Sequence, residues 1–125
     1  MTTSENIYES LERIFHEPNR LAIMSALCGA DKRSLAFNEL KTVCRLTDGN
    51  LNRHLKVLEE SGAVKIGKSF VDDKPRTTII MTSKGLQRFH QYLEALSQVL
   101  QHAQRTMPDG ETAGFPLAMA RRGEA

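Results

Sequence analysis

The chain has 125 residues, 40% apolar and 26% charged, with two Cys and no Trp. That length fits a single domain with its own core, the apolar share is too high for a disordered chain, and no apolar run reaches the ~18 residues of a membrane span. The net charge of +2 hides a segregation: residues 41–88 hold ten Lys/Arg against five Asp/Glu, whereas residues 1–40 hold four against six and residues 89–125 three against four. A basic middle between mildly acidic flanks suits a polyanionic partner.

In chain order, Ile7, Tyr8, Leu11, Ile14 and Phe15 recur at helical spacing and predict a first helix. His16-Glu17-Pro18-Asn19 breaks it, and Pro18 opens a second helix. That helix has a stripe of Leu21, Met24, Leu27 and Cys28, Ile23 on its flank, and Gly29 placed to stop it. Ser34 to Phe37 is a brief extended segment. A third helix, Asn38 to Cys44, is expected to bury Leu40, Val43 and Cys44. Thr47 caps a fourth helix, which carries Leu51, Leu55 and Leu58 inward and ends at Ser61-Gly62. Two strands follow, Ala63 to Phe70 and the β-branched Thr77 to Met81, joined by a polar tip from Val71 to Arg76. Thr82-Ser83-Lys84-Gly85 opens a last, long helix reaching Arg105. The fold class is therefore mainly α with a small β-hairpin (α+β), residues 1–106 forming the domain and 107–125, rich in Pro and Gly, a loose tail.

Helices three and four with their short turn make a helix-turn-helix. On the wheel of helix four, His54 and Val57 flank the leucines, while Gly49, Asn52, Arg53 and Lys56 share the opposite face with Asn50 beside them. Those are the residue types that read a major groove: Arg pairs with guanine, Asn with adenine, Lys with guanine or phosphate. Gly49 near the helix start lets a phosphate approach the backbone. A merely solvated face would give the same wheel. The neighbouring hairpin tilts the reading towards nucleic acid, because Lys68, Lys74 and Arg76 ring its turn, although Asp72 and Asp73 weaken the field.

No catalytic constellation is present in the sequence: no Gly-rich phosphate loop, no paired-His zinc string and no Gly-x-Ser-x-Gly. The chain is thus read as a non-enzyme without cofactor or metal. His54, beside an apolar stripe, is read as a hydrogen-bonded structural histidine, and Cys28 and Cys44 as small buried apolar residues. The N-terminus lacks the pattern of a signal peptide, so a reduced cytoplasm is expected, with no membrane partner.

Six strings in order carry a resemblance to winged-helix transcriptional regulators, in the small single-domain branch related to the MarR and ArsR repressors. They are Pro18 to Met24, Phe37 to Leu40, Leu46 to Leu55, Leu58 to Val64, Pro75 to Thr77 and Met81 to Gly85. The resemblance spans residues 16–100. It implies a winged helix-turn-helix in which the helix Thr47–Ser61 enters the major groove and the hairpin, residues 68–77, is a wing on the backbone or minor groove. The implied DNA-binding set is Thr47, Asp48, Gly49, Asn50, Asn52, Arg53 and Lys56, with Lys68, Lys74, Arg76 and Thr77 from the wing. The wing departs from the common MarR pattern in having Asp73-Lys74-Pro75-Arg76, where Asp and Arg usually sit two apart. Metal-sensing relatives carry a Cys-x-Cys where this chain has Cys44 alone.

In the last helix, Leu86, Phe89, Leu93, Leu96, Leu100 and Ala103 alternate in steps of three and four, a heptad seam. Packing on its own domain would use the first turn, but a helix of about twenty residues is ~30 Å long and overruns so small a domain. Related regulators dimerise through this helix, often with the first, which implies a homodimer through Ile7, Leu11, Phe89, Leu93, Leu96 and Leu100. The expected function is that of a dimeric regulator, more a repressor than an activator, on a pseudo-palindromic double-stranded operator, nucleoid-associated when bound. The existence of a small-molecule effector is left open. The alternative is a winged-helix protein-interaction module without DNA binding.

Overall fold

A computed structural model describes Tyr8 and residues 11–108. Helix α1 (Pro18–Cys28) begins where Pro18 removes an amide that would have no partner, and the Glu17 carboxylate accepts from the Arg20 amide at 2.8 Å. After a 3-10 turn at Asp31–Arg33 comes β1 (Ser34–Ala36), then α2 (Phe37–Cys44), α3 (Asp48–Glu60), β2 (Val64–Val71), β3 (Lys74–Met81) and α4 (Ser83–Thr106). The sheet is antiparallel in the order β1-β3-β2.

The expected first helix is absent among the described residues: Leu11 to Glu17 form successive turns. Their apolar residues have a different task. Phe15 is fully buried and meets Phe89 and Tyr92 edge-on, at ring separations of 5.5 and 5.9 Å. His16 Nδ1 and the Tyr92 hydroxyl are hydrogen-bonded at 2.8 Å. Arg88 donates to both Glu12 carboxylate oxygens, at 2.8 and 3.3 Å, and to the Ser61 carbonyl, while its guanidinium lies 5.4 Å from the Phe15 ring centre. The N-terminal segment is thus fastened to α4 side chain by side chain rather than as a helix.

The core gathers Phe15, Ile23, Met24, Leu27, Leu40, Leu51, Leu55, Leu58, Ile79, Phe89 and Tyr92, all almost fully buried. Burying each leucine of α3 contributes about 1.5–3 kcal/mol, enough to fix which way that helix faces. Two expected core positions are not buried. Val43 is 63% exposed on the outer side of α2, and Cys28 is exposed at the end of α1; Cys44 is half-buried.

Two glycines set the joint between α3, the hairpin and α4. Gly62, after α3, has φ +84°, a left-handed conformation that disfavours other residues. Gly85 lies so close to Ala63 that a Cβ would stand 2.0 Å from the Ala63 carbonyl oxygen. Thr82 closes the joint: its hydroxyl donates to the Gly62 carbonyl at 2.7 Å and accepts from the Gly85 amide at 2.8 Å, capping α4.

The hairpin turn is tighter than its polar sequence suggests. Asp72 and Asp73 alone form it, both at positive φ (53° and 63°), the signature of a type I′ turn. Lys74, Pro75 and Arg76, expected at the tip, belong to β3. Val71 and Lys74 face each other across this two-residue loop, so Pro75, opposite Phe70, falls at a position where no ladder hydrogen bond is needed.

Helix α4 buries Gly85, Phe89, Tyr92 and Ala95. Phe89, expected on an open dimer seam, belongs to the core of its own chain and is 1% exposed. Leu11, Leu86 and Leu96 also pack against this core in part, whereas Leu93 is 39% exposed and Leu100 half-buried. Ile7 and residues 109–125, the main part of the expected tail, lie outside the described residues.

Candidate nucleic-acid interface

The turn between α2 and α3 orients everything that follows. Arg45 takes the left-handed conformation (φ 58°) and the Leu46 amide reaches back to the Lys41 carbonyl at 3.1 Å, closing α2 as a Schellman turn. Leu46 then packs on the core, and the Thr47 hydroxyl accepts from the Asn50 amide at 3.2 Å to start α3. Lys41 and Asp48, 2.8 Å apart, tie the two helices across the turn.

With its leucines held inward, α3 turns Gly49, Asn50, Asn52, Arg53 and Lys56 outward, all exposed. Nothing in the protein lies within 4 Å of where a Gly49 side chain would start, so packing does not demand a glycine there. Arg53 donates to the Asn50 side-chain oxygen at 3.1 Å, which holds its fork along the face. Thr47 is occupied as a cap and Asp48 as the partner of Lys41; both are exposed at the helix start.

The hairpin stands beside this face. An open groove of about 560 Å³ is lined by Asn52 and Glu59 of α3, Phe37 of α2, and Ile66, Lys68 and Thr77 of the sheet. A second, of about 570 Å³, runs between the starts of α2 and α3 and the β3 edge, with Asn38, Glu39, Asp48, Lys74, Pro75 and Arg76 along it. Lys68 and Thr77 are therefore brought up to Asn52, while Arg76 is turned towards Glu39, 3.9 Å away. Glu39 also accepts from the Ala36 amide at 2.9 Å, so one carboxylate serves both the start of α2 and a wing arginine. Phe37 lines both grooves, a part its place at the end of a predicted strand did not disclose.

Behind the face lies His54, 4% exposed. Arg20, which can only donate, places Nη1 3.2 Å from His54 Nδ1, and Asn19 Nδ2 is 3.4 Å from Nε2. Burial pushes the imidazole below its usual range; the Glu17 carboxylate, 3.8 Å away, opposes this, while the charges of Arg53 and Arg20 add to it. For Glu17, burial acts upward but is outweighed by the Arg20 amide and the charges of His54 and Arg20, which hold it below the ordinary carboxylate value. His54 is thus the hydrogen-bonded structural histidine the sequence suggested, joining α1 to α3. Burial raises the Cys44 thiol, which opposes thiolate chemistry there. Among the described residues no group of three His, Cys, Asp or Glu is placed to hold a metal, and no helix is long and apolar enough to cross a membrane.

An array of this kind can bind an anion-lined groove and read base edges. Several known proteins are similar to this chain. The family model of the winged helix DNA-binding domain matches residues 19–100. An uncharacterised protein of Methanocaldococcus jannaschii is 39% identical over 87 residues, 70% of this chain and 92% of the relative. The structure of a transcriptional regulator homologue protein from Pyrococcus horikoshii OT3 superposes with a TM-score of 0.71 at 34% identity, covering 79% of this chain and 97% of that one. A MarR family transcriptional regulator from Streptomyces coelicolor, solved in complex with DNA, shares the fold at a TM-score of 0.60 and 16% identity, over 97% of this chain and 79% of its own. The match over residues 19–100 and the relatives at 39% and 34% identity settle the family, and the Streptomyces coelicolor structure shares its fold: the chain belongs to the winged helix DNA-binding domain family.

Proposed function

We propose that the protein is a homodimeric, sequence-specific repressor that places α3 in the major groove and its wing on the flanking backbone or minor groove. It acts by binding alone, without catalysis, in the cytoplasm and on the nucleoid. The observation that carries this reading is the exposed, uncovered row Asn50, Asn52, Arg53 and Lys56, on a helix whose opposite side is fixed by three buried leucines. Asn50, Asn52, Arg53 and Lys56 supply base choice, and Lys68, Lys74 and Arg76 supply phosphate contacts. A dimer is supported by Leu93, Leu96 and Leu100 on α4, which a two-fold partner would cover. Two copies would read a pseudo-palindrome with half-site centres one helical turn, ~34 Å, apart.

The test is selection of bound fragments from a random-sequence duplex pool, followed by a salt titration and sedimentation of the free protein. A recovered palindrome, affinity falling steeply with salt and a micromolar dimer are expected. Duplex affinity that ignores salt, or a monomer that binds one half-site, would remove the reading.

A further inference from the structure

Side chains alternate across a strand, so the facing pairs Val64 and Met81, Ile66 and Ile79, Lys68 and Thr77, and Phe70 and Pro75 share one face of the hairpin. Val64, Ile79 and Met81 are buried, which makes this the core side. One step outward, Ile66, Lys68 and Thr77 line the groove shared with Asn52 of α3. One step further, Phe70 and Pro75 carry the same face past the end of the core, and Phe70 is 75% exposed, the most exposed large apolar residue described. The side of the wing that turns to the recognition helix therefore ends in an aromatic ring that the fold does not cover.

We infer that Phe70, backed by Pro75, is an apolar wedge that enters the minor groove of the bound duplex and bends it by loosening a base step. The inference deepens the DNA-binding reading above and rests on it. Charge selects the occupant. Lys68 precedes Phe70 on the same face, while Lys74 and Arg76, on either side of Pro75, alternate to the opposite face, so cations stand on both faces of the ribbon behind the ring, against the two carboxylates at the apex. A protein surface seated on Phe70 would have to desolvate Lys68, whereas a duplex groove, with a row of phosphates on each wall, meets the cations on both faces of the tip. The ring need only insert its edge; the ribbon stays outside, as with apolar wedges that kink DNA from the minor groove. An uncharged wedge also adds specificity without base pairing contacts, because pyrimidine–purine steps open most easily.

The experiment uses duplexes recovered from a random-sequence pool, end-labelled for energy transfer and carrying 2-aminopurine at the steps beneath the wing. The wild type should bend the duplex by ~20° or more and raise the aminopurine signal. Phe70→Ala should lose both and bind about ten-fold more weakly with an unchanged salt slope, since no charge is removed. Phe70→Leu should restore part of the bend, and Lys74→Ala should lower the salt slope while keeping the bend. A wild type that binds but leaves the duplex straight and stacked, or Phe70→Ala with a wild-type bend, overturns the wedge and leaves DNA binding standing. A change in sedimentation for Phe70→Ala assigns the ring to a contact between chains and overturns it too. A wild type that binds no duplex overturns both readings.

Discussion

Two arms leave the core of this protein, and both outrun it. The hairpin strands have eight residues each, ~27 Å, and α4 has 24, ~36 Å. In neither is any residue buried beyond a certain point: none from Lys65 to Thr78 in the hairpin, and none from Leu96 to Met107 in the helix. Their outer parts differ in chemistry. The wing ends in exposed Lys68, Lys74 and Arg76 around Phe70, whereas α4 runs on through half-buried Leu96, Val99, Leu100 and Ala103. A cationic end asks for a polyanion, and an apolar stripe asks for another apolar stripe. On the function proposed above, the wing is the arm that meets DNA and α4 the arm that pairs two copies.

The most damaging change is at the joint both arms share. Gly85→Ala should gain ~1 kcal/mol in helix propensity but drive a methyl into the Ala63 carbonyl, a backbone atom that cannot step aside. Overpacking wins, with a net loss of about 3 kcal/mol, read as a lower urea midpoint. Both arms should fail together; an unaffected midpoint would show that the joint gives way.

Separating the arms comes next. Leu93→Glu with Leu100→Glu should yield monomers by sedimentation equilibrium, with an unchanged far-ultraviolet spectrum. Affinity for a two-half-site duplex should fall about 100-fold, because linked binding is lost, while affinity for a single half-site stays. Equal losses on both duplexes would erase the distinction drawn between the arms.

Within the DNA-facing region, Arg53→Ala should cost about 1–3 kcal/mol per half-site on the selected sequence and little on random duplex. Lys74→Ala should weaken both alike and reduce the salt slope by about one per protomer. If the two variants lose the same affinity on both DNAs, helix and wing do not divide the labour as proposed.

The smallest effect concerns His54. Its folded value lies below the ordinary imidazole range, so the unfolded chain binds the proton more tightly, and stability is full above that ordinary value and lost as pH falls through the folded one. The Glu17 carboxylate, also depressed, adds a loss of the same sign in a more acidic window. Urea midpoints measured from pH 8 to pH 5 should decline, and His54→Gln should flatten that decline. A midpoint rising on acidification would reverse the assignment.

Legibility followed the range of the interactions. Helices α1 to α3 were readable because Pro18, Thr47 and the leucine spacing are local signals, and the outward face of α3 follows from them. The hairpin tip is shorter than its polar composition implies: Lys74 and Pro75 are types that strands disfavour, but an edge position opposite Phe70 tolerates the proline. The period of Ile7, Leu11, Ile14 and Phe15 suggested a helix where Phe15 is instead an anchor for Phe89 and Tyr92, 74 and 77 residues away along the chain. A leucine heptad template passed over Tyr92, which lies one step off that seam and is fully buried. In the candidate site the residue types were readable, but the approach of Thr77 and Lys68 to Asn52, and of Arg76 to Glu39, needs the folded sheet.

The contact of Gly85 with Ala63 has a consequence for how such a regulator changes its target. It welds the end of α3, through Gly62 and Ala63, to the first turn of α4, and α4 carries the proposed pairing stripe. In the proposed dimer the distance between the two α3 helices would be set by a rigid ruler, the stretch of α4 from Gly85 to Leu93. One residue added to that stretch would turn the partner by ~100° and shift it by 1.5 Å. Half-site spacing would thus evolve through the length of α4, in helical steps, while the choice of bases evolves separately on α3.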